Sequence, residues 1–226
     1  MEIVFFGSAQ FGIPSLEALQ RAGHTISCII TQPDKKKGRG LSLSQTPVKT
    51  WATNARIPVY QPEKINSEES LQKLSSLRAD FFIVIAYGQI LRQEILDIPN
   101  YGCLNVHASL LPKYRGAAPI NWAIVNGETE TGVSVITMVR GMDAGPVLAQ
   151  RRIPIKDSDT CVSLETALAL QGAQCLIDCM NGIANKTSTA LPQQDTLVTF
   201  AKKLKKEDGL IHWERSSREI FNLIRG

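Results

Sequence analysis

The chain has 226 residues, 43% of them hydrophobic and 20% charged, with a formal net charge of +4. That length supports one large domain, or one domain with part of a second, and a core that needs no disulfide or metal staple. The balance excludes a fibrous, low-complexity or disulfide-dense protein, and no apolar run approaches the length of a membrane span.

Met1 to Phe6 is short and apolar but lacks a basic flank and a small-residue cleavage site, so no signal peptide is expected. The five cysteines, Cys28, Cys103, Cys161, Cys175 and Cys179, form an odd set without a Cys-x-x-Cys pair. They read as small buried residues of a reducing compartment, which predicts a cytoplasmic protein without structural zinc. Basic residues cluster in "DKKKGRG", 34–40, and "KKLKK", 202–206. Clusters of this kind can meet phosphate, though most are solvated surface.

"EIVFF", 2–6, is a buried strand by composition, and Gly7 follows it. Helical spacing runs from about Phe11 to Arg21, with Gly23 as a stop. "TISCIIT", 25–31, is the next strand, and the strand, helix, strand order predicts a parallel α/β sheet. A loop is expected from Gln32 to Gln45, then helices over 47–55 and 67–77, with Pro58 and Pro62 in the connection. "DFFIVIAYG", 80–88, is almost continuously apolar, as a central strand covered on both faces should be. "GCLNVHAS", 102–109, is a second such strand, and "PINWAIVNG", 119–127, a short helix stopped by Asn126-Gly127. "TGVSVITMV", 131–139, alternates and suits an antiparallel or edge strand. "VLAQRRIPI" is a further strand, 160–184 a long helix, and the pattern weakens after Asn185 into a linker and a basic tail. There is no internal repeat.

Three stretches bear on chemistry. "FFGSAQFG", 5–12, has glycines after the first strand but is not Gly-x-Gly-x-x-Gly, and Ile13-Pro14 follows where a phosphate loop has Lys-Ser or Lys-Thr. It reads as a tight strand-to-helix turn. In "NVHAS", Asn105 and His107 are two apart and share one face near the carboxyl end of a buried strand, where ligands of open α/β sheets bind. An amide donor beside an imidazole suits oxyanion stabilisation with proton movement. The same spacing also suits a buried pair that satisfies backbone groups. In "RGMDAGPV", Asp143 lies in a glycine-flanked loop. A carboxylate there can orient His107, or simply close its own turn.

Taken together, "TQPDKKKGRG", "AYGQIL", "NVHASLLPKYRGAAPINWAI" and "RGMDAGPVL" closely resemble the folate-dependent formyltransferases. The likeness runs from Glu2 to about Arg225. The Asn-x-His-x-Ser-Leu-Leu-Pro core is specific for the wider family. The long "TQPD" to "GRG" loop and "RGAAPINWAI" favour the branch that formylates the methionine carried by initiator tRNA.

The resemblance implies a Rossmann-like open, mostly parallel sheet with helices on both faces. It implies a transferase of translation initiation, with 10-formyltetrahydrofolate as formyl donor, the amino group of methionyl-initiator tRNA as acceptor, and no metal. Asn105, His107 and Asp143 match the family's catalytic trio, and Gln89, Ile90, Leu91, Ser109, Leu110, Leu111 and Pro112 match its folate-binding stretches. Leu110 and Leu111 also read as plain core. Lys35, Lys36, Lys37 and Arg39 match the loop used on the tRNA acceptor stem, although a solvated basic loop has the same composition. A monomer is expected. Residues 1–188 correspond to the catalytic domain, and 189–226 to a linker and the start of a C-terminal region that in the family forms a tRNA-binding β-barrel. Two alternatives stay open: a folate-binding fragment without turnover, and a formyltransferase acting on a smaller amine.

Overall fold

The computed structural model describes residues 1–37 and 42–226. In chain order the strands are β1 (Glu2–Gly7), β2 (Thr25–Ile30), β3 (Lys35–Lys37), β4 (Ser42–Ser44), β5 (Val59–Tyr60), β6 (Phe81–Ile85), β7 (Cys103–His107), β8 (Arg115–Gly116), β9 (Glu130–Thr137), β10 (Val147–Pro154) and β11 (Phe200–Ala201). The helices are α1 (Ile13–Arg21), α2 (Pro47–Asn54), α3 (Glu68–Ser76), α4 (Gln93–Leu96), α5 (Pro119–Val125), α6 (Cys161–Ala184) and α7 (Ser217–Arg225). A 3-10 turn, Gln10–Gly12, leads into α1.

Seven strands form one sheet in the order β10-β9-β7-β6-β1-β2-β5. β5, β2, β1, β6 and β7 are parallel to one another, while β9 runs antiparallel to both β7 and β10. The expected mostly parallel α/β sheet is what forms. The continuous apolar run of β6 explains its central place, since all five of its residues are buried. β9 is antiparallel as its alternation allows, but it is not an edge. The edge is β10, whose exposure alternates from Ala149 to Pro154.

The helices start where the chain offers caps. Thr46 accepts from Lys49 N ahead of α2, Ser67 from Ser70 N ahead of α3, and Thr160 with Ser163 forms a capping box on α6. In α6, Leu164, Leu168, Cys175, Leu176 and Cys179 recur at helical spacing and form its buried stripe. That stripe packs with Ile3, Phe5, Ile83, Leu104 and Val106 from one face of the sheet. Val4, Phe6, Phe82, Val84 and Cys103 form a second core on the opposite face, with Leu74 of α3 and Ile95 of α4.

Four features depart from the sequence expectation. The loop expected over 32–45 contains an antiparallel ribbon, β3 with β4, pairing Lys35 with Ser44 and Lys37 with Ser42. β5 sits between Pro58 and Pro62, in what reads as pure connection, and pairs Ile29 with Val59. Two residues are too few to show a period. The tail contains α7, capped by Ser216 and Glu219. Finally, residues 193–201 are not a free linker: β11 pairs with β8. All five cysteines are free thiols, and four are buried. Among the described residues no helix is long and apolar enough to cross a membrane.

Candidate active site

The parallel strands end together, and a cavity of about 490 Å³ opens there. Ala9 borders it after β1, Ala86 and Gly88 after β6, and Asn105 and His107 at the end of β7. Leu104, Val106 and Ala108 enter the core, and Val106 and Ala108 also border the cavity. The alternation of a strand therefore divides β7 into an apolar side and a polar side.

The loop between β9 and β10 brings Asp143 to the same cavity. Its carboxylate accepts from Asn105 Nδ2 at 3.1 Å and from Gly116 N at 2.9 Å. Asp143 Oδ2 also stands 3.5 Å from His107 Nδ1, beyond a well-made hydrogen bond. Two glycines make this arrangement possible. A side chain at Gly145 would place its Cβ 1.7 Å from Thr137 O, where the loop returns against β9. Gly116 has φ +122°, and a Cβ there would lie 2.6 Å from Ala201 O.

His107 is buried, with Nε2 2.8 Å from Tyr114 O. A carbonyl oxygen only accepts, so Nε2 carries the proton and donates. Nδ1 is then the nitrogen that can take up or release a proton, on the side of Asp143 and the cavity. Asn105 Nδ2 has two N–H groups and gives one to Asp143. The set thus combines an amide donor, an imidazole nitrogen with a lone pair and a carboxylate that can balance charge. That combination can stabilise an oxyanion and move a proton.

Tyr114 and Arg115 carry anchors that the sequence reading did not assign. Tyr114 O holds His107, while Tyr114 N donates to Thr199 Oγ1 at 2.8 Å and Arg115 N to Thr199 O at 2.9 Å. The Tyr114 phenol is pushed up to about 12, chiefly by burial, so it remains a donor to Glu128. Cys161 borders the cavity, and burial raises its thiol above the ordinary value, with Glu165 adding to that rise. It is therefore poorly suited as a thiolate nucleophile. Gln193 bridges Arg115 to the Asp143 loop through four contacts of 2.7–3.0 Å. No local pattern around Gln193 marks it in the sequence.

Asn105, His107 and Asp143 converge, but the other candidates lie elsewhere. Gln89 turns its amide to Ile65 N, Pro62 O and Glu63 O. Ile90 is exposed, and Leu91 is buried in the core beside α3 and α4. Ser109 is buried and donates to Lys113 O at 2.7 Å. Leu111 is tied to Ser134 Oγ through its N–H and to Gln150 through its carbonyl. Leu110, Leu111 and Pro112 line a second, smaller cavity of about 260 Å³, with Glu128 and Arg152. Lys35 and Lys36 are exposed on the ribbon, whose base is pinned by Asp34, paired with Lys49 Nζ at 2.6 Å and Gln61 Nε2 at 2.7 Å. Those two bonds, Lys49 first, hold the Asp34 carboxyl below its ordinary range. Lys37 closes β3, and Arg39 lies outside the described residues.

The chain is an open α/β sheet with an Asn, His and Asp set at one cavity by its strand ends, and comparison with known proteins gives its family. Residues 1–180 match the model of the formyl transferase family. The chain is 47% identical over 224 residues to a methionyl-tRNA formyltransferase of Thermodesulfovibrio yellowstonii, covering 99% of this chain and 72% of that one. Among solved structures it is similar to an N-formyltransferase from Helicobacter canadensis in complex with folinic acid and dTDP-3-aminofucose. The TM-score there is 0.76 at 22% identity, over 99% of this chain and 79% of that one. It is also similar to phosphoribosylglycinamide formyltransferase from Bacillus halodurans, with TM-score 0.67 and 25% identity over 82% and 96% of the two chains. The chain belongs to the formyl transferase family.

Proposed function

We propose that the protein transfers the formyl group of 10-formyltetrahydrofolate to the amino group of methionyl-initiator tRNA. The observation that carries the reading is the convergence of Asn105, His107 and Asp143 on one cavity at the strand ends. The choice of acceptor is supported by the 47% identity to a methionyl-tRNA formyltransferase over nearly the whole chain. The cavity volume of about 490 Å³ suits one end of a folate together with the reacting amine.

In this reading Asn105 donates its second N–H to the formyl oxygen as negative charge develops there. His107 Nδ1 takes the proton that the attacking amine loses, while Nε2 stays bound to Tyr114 O. Asp143 balances the imidazolium, and the proton then passes to the folate nitrogen as the bond to the formyl carbon breaks. The backbone of Ala86 to Gly88 borders the folate. Gln89 and Leu91 fix that backbone from behind, and Ser109 to Pro112 hold the turn after β7 through their bonds to β9 and β10. Lys35, Lys36, Lys37 and Arg39 supply phosphate contacts to the acceptor stem. Residues 1–188 hold every group proposed to act on a substrate, and the enzyme acts as a cytoplasmic monomer.

The test is formyl transfer from 10-formyltetrahydrofolate to methionyl-initiator tRNA at low salt, with His107→Ala beside the wild type. Product that depends on His107 supports the reading. Absence of product at high enzyme concentration withdraws the tRNA acceptor.

A further inference from the structure

The Asp143 loop needs an anchor outside itself. Asp143 has φ +48°, and its carbonyl and that of Gly145 both accept from Gln193 Nε2 at 2.7 Å. Gln193 Oε1 in turn accepts from Arg115 Nε at 3.0 Å and Nη2 at 2.8 Å. Arg115 is only 8% exposed, and among the described residues it pairs with no carboxylate. One neutral amide therefore uses both of its ends, with two N–H groups on two carbonyls and its oxygen on a guanidinium. Glutamate at this position would keep Arg115 but set an acceptor against two acceptors. An apolar side chain would leave all three groups unpaired.

The same stretch of chain holds the imidazole. Thr199 binds the backbone of Tyr114 and Arg115, and Ala201 O accepts from Ala117 N at 2.8 Å. Tyr114 O is the fixed partner of His107 Nε2, and Gly116 N is a fixed partner of Asp143. Residues 193–201 lie beyond the stretch matched by the family model, which ends at residue 180. They nevertheless grip the supports of both ionisable members of the site.

We infer that Gln193 is a positioning residue for the transfer reaction, holding the Asp143 carboxylate at His107, and that the segment 193–201 is part of the support of the active site. The inference rests on the proposed role of Asp143. Its mechanism is geometric, because a displacement of about 1 Å in a reacting group can cost roughly 10²-fold in rate.

The experiment uses the full chain and the transfer assay with Gln193→Ala, Gln193→Glu, Asp143→Asn and the double variant Gln193→Ala/Asp143→Asn. Gln193→Ala should lower kcat by roughly 10- to 100-fold with KM for both substrates changed less than about threefold. Gln193→Glu, which retains the Arg115 bonds, should lose at least as much in kcat. It also serves if the alanine variant does not fold. In the Asp143→Asn background the second substitution should cost less than about threefold, because the group it positions is already gone. The pH–rate profile of Gln193→Ala should move toward that of Asp143→Asn. Full additivity in the double variant, or wild-type kcat in Gln193→Glu, overturns the inference. Wild-type activity in Asp143→Asn overturns the role of Asp143 itself, which separates that failure from the failure of Gln193.

Discussion

The two halves of the seven-stranded sheet are covered by different materials. Around β2, β1 and β6 the sheet is sandwiched, with α1 and α2 against one face and α3 and α4 against the other. Around β9 and the carboxyl end of β7 one face carries α6, while Cys103 at the start of β7 still meets α4 on the other. Beyond Cys103 that other face is met by irregular chain: residues 112–118, the loop after β9, and 193–201. A helix spends its backbone hydrogen bonds on itself and offers a neighbour only side chains. Irregular chain has N–H and C=O groups left to give. His107 is held by the carbonyl of Tyr114 and Asp143 by the amide of Gly116, so the polar set assembles where the helical cover stops. The first half is closed by packed apolar side chains, and the second holds polar side chains through backbone groups.

The sharpest way to break this comparison is at His107. His107→Ala should lower formyl transfer by roughly 10²- to 10⁴-fold with the circular dichroism spectrum unchanged. A loss below tenfold in folded protein would remove His107 from the reaction and leave the polar half a structural device. The reverse experiment belongs to the helical half. Phe82 is fully buried and its ring centroid lies 5.1 Å from that of Phe6. Phe82→Ala should cost about 3–5 kcal/mol in denaturant titration, while the folded fraction keeps its kcat. If kcat falls with stability, the two halves are not separable.

A smaller effect is expected at Gly145. The backbone must shift to relieve a Cβ 1.7 Å from Thr137 O. Gly145→Ala should cost roughly 1–3 kcal/mol in stability and about tenfold or more in kcat through Asp143. An unchanged kcat would mean that the loop backbone does not aim the carboxylate.

The smallest effect is at Asp80, far from the cavity. Its carboxylate accepts from Glu2 N at 2.9 Å and Asn100 Nδ2 at 3.2 Å. Those bonds, Glu2 first, hold its pKa below the ordinary carboxylate range against the opposing pull of burial. A depressed folded pKa contributes stability above the unfolded value, about pH 4, which is lost as pH falls through the lower folded value. Thermal melts of Asp80→Asn should therefore lie below the wild type at neutral pH and converge with it in acid. A gap that widens toward acid would reverse the sign of the argument.

Much of this was legible in the residues. The apolar runs of β6 and β7, the capped stripe of α6 and the helical spans 47–55 and 67–77 all correspond to elements, because long periodic segments carry their own signal. β5, β8 and β11 have two residues each, and no period exists in two residues. They form because a neighbouring strand is already there. The same holds for β3 and β4, which the basic composition of 34–40 disguises as plain loop. At the site, Asn105 and His107 announce themselves because they interrupt an apolar strand. Gln193 does not, since a polar residue in a polar stretch carries no contrast.

The sequence alone determined the parallel α/β sheet, the polar pair on one face of β7 and, through its motifs, the family. The first two are consequences of alternation, apolar continuity and local turn chemistry, which act over a few neighbouring residues, while the family rests on the resemblance of the motifs. Only the tertiary structure decided that Asp143 reaches His107 from 36 positions away, as their contact shows. It likewise decided that Tyr114 O selects which imidazole nitrogen carries the proton, and that Gln193 closes the loop from 50 positions beyond Asp143. Those contacts depend on where the sheet sends distant segments, and a hydrogen bond between them has no counterpart in any local pattern.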